Sequence, residues 1–144
     1  MKLRKLGNLD LNVSAVGLGC MSFAGFYDPT TKEESFKCLD EARNVGINFL
    51  DTAEMYGWGL SEEIIGEYQS LNKYEFHVAT KGGIVRGAAR GVNDNSETGL
   101  RKSLEGSLKR LRVDYIPLYY IHRRDYTFDI EDVSGTLKKF VDEG

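Results

Sequence analysis

Residues 46–66 read Gly46-Ile47-Asn48-Phe49-Leu50-Asp51-Thr52-Ala53-Glu54-Met55-Tyr56-Gly57-Trp58-Gly59-Leu60-Ser61-Glu62-Glu63-Ile64-Ile65-Gly66. Ile47–Asp51 is a short apolar run, which predicts a strand. Ser61 followed by Glu62 and Glu63 predicts a helix start, with Ser61 as N-cap and the acids where the helix dipole favours them. The loop between them opens on Asp51 and carries Tyr56. Strand, loop and helix together make one βα unit.

The same alternation extends in both directions. Upstream, Thr31-Lys32-Glu33-Glu34 has the form of a capping box. The helix behind it sets Phe36, Leu39 and Ala42 on one face and stops near Gly46. Val13–Gly19 predicts a strand ending in glycines, and Leu3–Asn12, centred on Gly7-Asn8, predicts a β-hairpin before it. Downstream, Phe76–Lys81 predicts a strand, and a loop runs from Gly82 to about Asn95. Leu100, Leu104, Leu108 and Leu111 mark a third helix. Tyr115–His122 predicts a fourth strand, weakened by Pro117. A last helix carries Val133, Leu137 and Val141.

Four strand–helix units recurring at roughly 30–40 residues imply a parallel sheet with right-handed crossovers. Periodicity does not separate an open doubly wound sheet from a closed barrel. The dinucleotide fingerprint of the open sheet is incomplete, because Gly17 and Gly19 are followed by Ser22 and not by a third glycine. A strand end that needs a tight turn accounts for Gly17 and Gly19 equally well.

Composition bounds the function. The 144 residues suit a single domain over 1–144, and the formal charge of −3 argues against a nucleic-acid partner. Cys20 and Cys38 make no disulfide framework. With only His77 and His122 as histidines, no zinc-ligand spacing exists, and no metal site is expected. Neither an apolar leader nor a run approaching the roughly 20 apolar residues of a membrane helix is present, so a cytoplasmic protein without a membrane partner is expected.

The chemistry-bearing residues sit at strand ends: Asp51 after the second strand, Lys81 after the third, His122 after the fourth, with Tyr56 in the second loop. In a βα barrel these ends meet on one face, where catalysis occurs. A phenol ordinarily holds its proton to about pH 10, and a neighbouring ammonium favours the phenolate. Asp51 can fix Lys81, Lys81 can tune Tyr56, Tyr56 can deliver a proton, and His122 can donate to a carbonyl oxygen as charge develops there. The set suits a carbonyl receiving hydride, which implies a nicotinamide cofactor. Singly, each residue has a plainer reading: a turn aspartate, a surface tyrosine, a solvated lysine, a satisfied histidine. Their recurrence at successive strand ends favours the catalytic one.

The run Gly46–Gly57 with Gly59, Ser61 and Glu62 closely resembles the aldo-keto reductase signature. Val78-Ala79-Thr80-Lys81 resembles that family's lysine strand, and Tyr120-Ile121-His122-Arg123-Arg124-Asp125 its histidine strand. Leu6-Gly7 and Gly17-Leu18-Gly19-Cys20-Met21 are also similar. The resemblance implies a (β/α)8 TIM barrel and an NADPH-dependent oxidoreductase that reduces aldehydes and ketones. It implies Asp51, Tyr56, Lys81 and His122 as the catalytic tetrad, with His122 also touching the carbonyl substrate. Cys20, Met21 and Asp51 are implied beside NADPH/NADP, and Phe26 and Trp58 beside the substrate.

A full barrel needs eight βα units, typically about 250 residues. Four fit here, so the resemblance covers the N-terminal half and places the main cofactor contacts beyond residue 144. Exposed edges at the first and fourth strands predict association with a second copy or a complementary half. Two other readings stay open: a non-catalytic interaction module, and an isomerase or lyase with Lys81 as Schiff-base nucleophile. The basic loop residues Arg86 and Arg90 are expected to be solvated rather than phosphate ligands.

Overall fold

Strand order decides between the two architectures left open by the sequence. The computed structural model describes residues 1–8, 10–87, 89 and 91–144. β1 (Leu3–Lys5) and β2 (Asn12–Ser14) form an antiparallel hairpin. Then β3 (Leu18–Gly19), α1 (Lys32–Asn44), β4 (Phe49–Asp51), α2 (Leu60–Asn72), β5 (His77–Gly82), α3 (Glu97–Leu111), β6 (Leu118–Ile121) and α4 (Ile130–Glu143) alternate. The sheet runs β3-β4-β5-β6, all parallel and in chain order. A doubly wound sheet reverses its order at a switch point. Here each strand joins the same side of the one before, so right-handed crossovers put every helix on one face. That is the progression of a (β/α)8 barrel, over four units.

The local signals act as the residue types dictate. The Glu34 amide donates to Thr31 Oγ1 at 3.2 Å and the Thr31 amide donates to Glu34 Oε2 at 2.8 Å, which closes the capping box. Ser96 caps α3 by accepting from the Gly99 amide at 3.1 Å. Leu39, Leu50, Ile65, Tyr68, Val78 and Leu111 fill the space between sheet and helices. Each such burial contributes about 1.5–3 kcal/mol. A smaller cluster, Leu100, Val133 and Phe140, seats α4.

Four sequence expectations are corrected. Val13–Gly19 is not one strand: Val13 and Ser14 pair with Arg4 and Leu3 in the hairpin, and only Leu18–Gly19 joins the parallel sheet. Ser61 is not an N-cap. Gly59 holds that place at φ 102°, and Ser61 lies inside the helix, fully buried, donating to the Cys20 carbonyl at 2.8 Å. In α4 the inward residue is Phe140, two turns beyond Val133, while Val141 is 76% exposed. The fourth strand begins only after Pro117, as the missing amide of proline requires.

The hairpin is tied to the N-terminal end of the sheet, opposite the site. Asn48 Oδ1 accepts from the Ser14 amide at 2.6 Å, and Asn48 Nδ2 donates to the Asn12 carbonyl at 3.0 Å. Leu9, within the predicted hairpin, lies outside the described residues. Among the described residues no helix is long and apolar enough to cross a membrane, and no three His, Cys, Asp or Glu side chains are grouped to hold a metal.

Helices α2 and α3 touch through Gly66, where a Cβ would stand 2.2 Å from the Arg110 carbonyl oxygen. Alanine favours a helix over glycine by about 1 kcal/mol, but forced overpacking costs about 1–3 kcal/mol. Gly66→Ala is therefore expected to lower the urea midpoint. An unchanged or raised midpoint would show that the helices do not approach this closely.

Candidate active site

Sheet register brings the strand-end residues to one face. Asp51 stands opposite Ala79, Ala79 opposite Leu118, and Lys81 opposite Tyr120. Side chains alternate along a strand, so Lys81, two beyond Ala79, and His122, two beyond Tyr120, share the face of Asp51. Between them, Leu50, Val78 and Thr80 turn to the helices and are buried.

Lys81 is the hub. Its Nζ donates to Asp51 Oδ1 at 2.5 Å, to the Thr52 carbonyl at 2.8 Å and to Tyr56 Oη at 3.5 Å. These three acceptors match the three protons of an ammonium. Tyr56 Oη accepts from Lys81, which leaves its own proton free to donate outward. The Tyr56 and His122 rings meet edge to face, with centroids 5.9 Å apart. All four predicted catalytic side chains are therefore brought together.

The turn after Tyr56 explains the Gly-Trp-Gly sequence. Gly57, Trp58 and Gly59 have φ of 64°, 53° and 102°. Glycine takes this region freely, whereas Trp58 pays roughly 1–2 kcal/mol for it. At Gly57 a Cβ would stand 2.8 Å from Leu60 Cβ and 2.9 Å from Ala24 Cβ. The turn thus re-aims the chain into α2 immediately behind the phenol.

His122 is half-buried, its amide held by the Gly82 carbonyl at 2.9 Å. Its Nδ1 is buried with no hydrogen-bond partner among the described residues. Burial first, then the cations Lys81 and Arg123, hold the imidazole below its ordinary value, against an opposite pull from Asp51. A neutral ring results near pH 7, with one N–H to offer a carbonyl oxygen.

The remaining expected residues divide. Phe26 and Trp58 line one open cleft of about 680 Å³, together with Met55, Val85 and Arg123. Cys20 turns its thiol into the core, where it is fully buried, and burial raises its pKa strongly; its amide donates to the Asp51 carbonyl and its carbonyl accepts from Ser61 Oγ, so it offers no free polar group to a ligand. Met21 is half-buried at the start of a short helical turn, Met21–Ala24. Asp51, half-exposed, commits one oxygen to Lys81, and its other suits a ribose hydroxyl. Gly19, opposite Asp51, has nothing within 4 Å of a Cβ position. An acceptor beside open space at a strand end fits the nicotinamide–ribose portion of a dinucleotide.

Sequence reasoning missed the residues that hold the loops. Asn95, almost fully buried, accepts from the Asp125 amide at 2.7 Å and donates to the Arg123 carbonyl at 3.3 Å. The loop from Gly82 is therefore fastened to the segment after His122, and Arg86 lies over the Trp58 ring at 6.0 Å. Arg90 lies outside the described residues. An asparagine in a Gly- and Asn-rich loop carries no signal that separates a buried tie from an ordinary turn residue.

Comparison with known proteins agrees with this fold. Residues 15–144 match the model of the Aldo/keto reductase family. The chain is 40% identical over 146 residues to a probable aldo-keto reductase 1 of Glycine max, covering 97% of this chain and 41% of that protein. It is 39% identical to the Schizosaccharomyces pombe aldo-keto reductase yakc, whose name carries NADP(+), covering 98% and 42%. Among solved structures it is similar to an aldo-keto reductase of Bacillus halodurans in its holo form, with TM-score 0.85, 34% identity, and 100% and 47% of the two chains covered. It is likewise similar to a glycerol dehydrogenase of Gluconobacter oxydans, with TM-score 0.87, 32% identity, and 99% and 45% covered. The chain spans less than half the length of these relatives.

The lowered His122 value has a direct test. In an NMR titration its ring should take up a proton below the ordinary 6.5. Unfolded, it protonates at the ordinary value, so its contribution to stability is present above that pH and is lost as pH falls through the folded value. A midpoint at or above 6.5 contradicts the burial and the cationic neighbours.

Proposed function

The chain belongs to the aldo/keto reductase family, a family of oxidoreductases, and from that premise we propose that it carries the catalytic side chains of an NADPH-dependent reductase of aldehydes and ketones. The observation that carries the reading is the Asp51–Lys81–Tyr56 chain of contacts closed by the His122 ring.

In this reading the four side chains divide the labour. His122, neutral and half-buried, donates its N–H to the substrate carbonyl oxygen and orients it. Tyr56 gives its proton to that oxygen as the carbonyl carbon becomes tetrahedral. Lys81 stays protonated against Asp51 and stabilises the phenolate that remains. Asp51 fixes the Lys81 position and offers its free oxygen to the cofactor ribose. When bound, the nicotinamide supplies the hydride. Phe26 and Trp58 border the cleft that receives the substrate's side chain, and the substrate is a small carbonyl compound.

NADPH fluorescence titration and aldehyde-dependent NADPH oxidation test this on the 144-residue chain combined with the complementary half of a family barrel. Saturable binding with turnover is expected, and Tyr56→Phe should lower kcat on the order of 10²–10⁴-fold with binding retained. Full activity in Tyr56→Phe contradicts the proton-donor role. No NADPH binding at all favours the interaction-module reading instead.

A further inference from the structure

Behind the catalytic face lies a polar cluster that the mechanism does not use. Glu62, fully buried in the first turn of α2, accepts from Thr80 Oγ1 at 2.6 Å and from Arg110 Nε at 2.6 Å. Arg110, in the last turn of α3, reaches Glu54 Oε1 with its other branch at 3.4 Å. Glu54 also accepts from Ser103 Oγ at 2.6 Å, and its amide donates to the Lys81 carbonyl at 3.0 Å.

The chain positions of these partners matter. Thr80 immediately precedes Lys81 on β5, and Glu54 lies two residues before Tyr56. One guanidinium therefore grips, through two carboxylates, both segments that carry the donor and its tuner. The planar fork of arginine reaches two acceptors at fixed spacing, which the single point of a lysine ammonium does not. Space is kept open for it: a Cβ at Gly59 would stand 2.4 Å from Arg110 Cδ, and one at Gly106 would stand 2.9 Å from an Arg110 terminal nitrogen.

We propose that Arg110 is a positioning residue that sets the Lys81–Tyr56 separation through Glu62 and Glu54. This rests on the reading of Tyr56 and Lys81 as the reacting pair. The link is indirect, because Arg110 lies on the helix side of the sheet and acts on backbone that the catalytic side chains share.

The test compares Arg110→Met, Arg110→Lys and Ser103→Ala with Lys32→Met, which removes an exposed ion pair to Glu67. Two readouts are taken on the 144-residue chain combined with the complementary half of a family barrel: kcat and KM for aldehyde reduction, and amide hydrogen exchange at Glu54, whose N–H is bound to Lys81. Arg110→Met should lower kcat by roughly ten- to a hundredfold with KM within about twofold. Glu54 exchange should quicken about tenfold while that of Thr52, bound to Ala79, is unchanged. Arg110→Lys should recover part of both, and Lys32→Met should change neither. Unchanged kcat and Glu54 exchange, or equal loss of protection throughout the chain, overturns the proposal. If Arg110→Met does not fold, Ser103→Ala, which removes one bond to Glu54, should show the same selective pattern at smaller size, and its absence overturns the proposal equally. Absence of turnover in the wild-type combination contradicts the proposed reductase function, and the exchange measurement then decides on the brace alone.

Discussion

One ammonium group organises this face of the molecule. Lys81 places its three protons on a carboxylate, a main-chain carbonyl and a phenol, all contributed by the strand and loop next to its own. The lysine side chain is 17% exposed and that of Asp51 is 43% exposed. An ion pair with this much water access contributes about 0–1 kcal/mol to stability. Its importance is therefore geometric: it fixes where the Tyr56 oxygen sits relative to a positive charge.

That geometry is only as firm as the backbone behind it. Parallel register sets Asp51, Lys81 and His122 on one side. The ladder continues past the strand, with the Thr52 amide on the Ala79 carbonyl at 2.9 Å and the Glu54 amide on the Lys81 carbonyl at 3.0 Å. Ser61 closes the other side through Thr52 Oγ1 at 2.8 Å and the Cys20 carbonyl. The left-handed turn at Gly57–Gly59 then carries the chain away from the site. Stability comes from the apolar layer between sheet and helices, and accuracy comes from the polar ties at the strand ends.

How much of this was legible differed by kind of signal. Strand ends with acidic, basic and imidazole groups, repeated at βα spacing, pointed to the tetrad because each signal was local and the barrel topology supplied the convergence. The capping box at Thr31 was legible for the same reason. Ser61 misled because a serine before acids fits both an N-cap and a buried hydroxyl, and the preceding left-handed turn, not the serine, decides where the helix starts. Val13–Gly19 misled because hairpin and sheet residues are equally apolar. Glu62, Arg110 and Asn95 were not legible as structural ties, since their partners lie 18 to 48 residues away and a charged or amide side chain alone reads as solvated surface.

The central claim is that Lys81 acts through Tyr56. A double-mutant cycle on kcat, with Lys81→Met, Tyr56→Phe and both together, tests it most directly. The account predicts strong non-additivity: with the phenol gone, removing the lysine should cost little more, and the double variant should match Tyr56→Phe within about threefold. Additive losses, with the double variant slower by the product of the two single effects, would mean that the lysine acts independently of the phenol and would contradict the account.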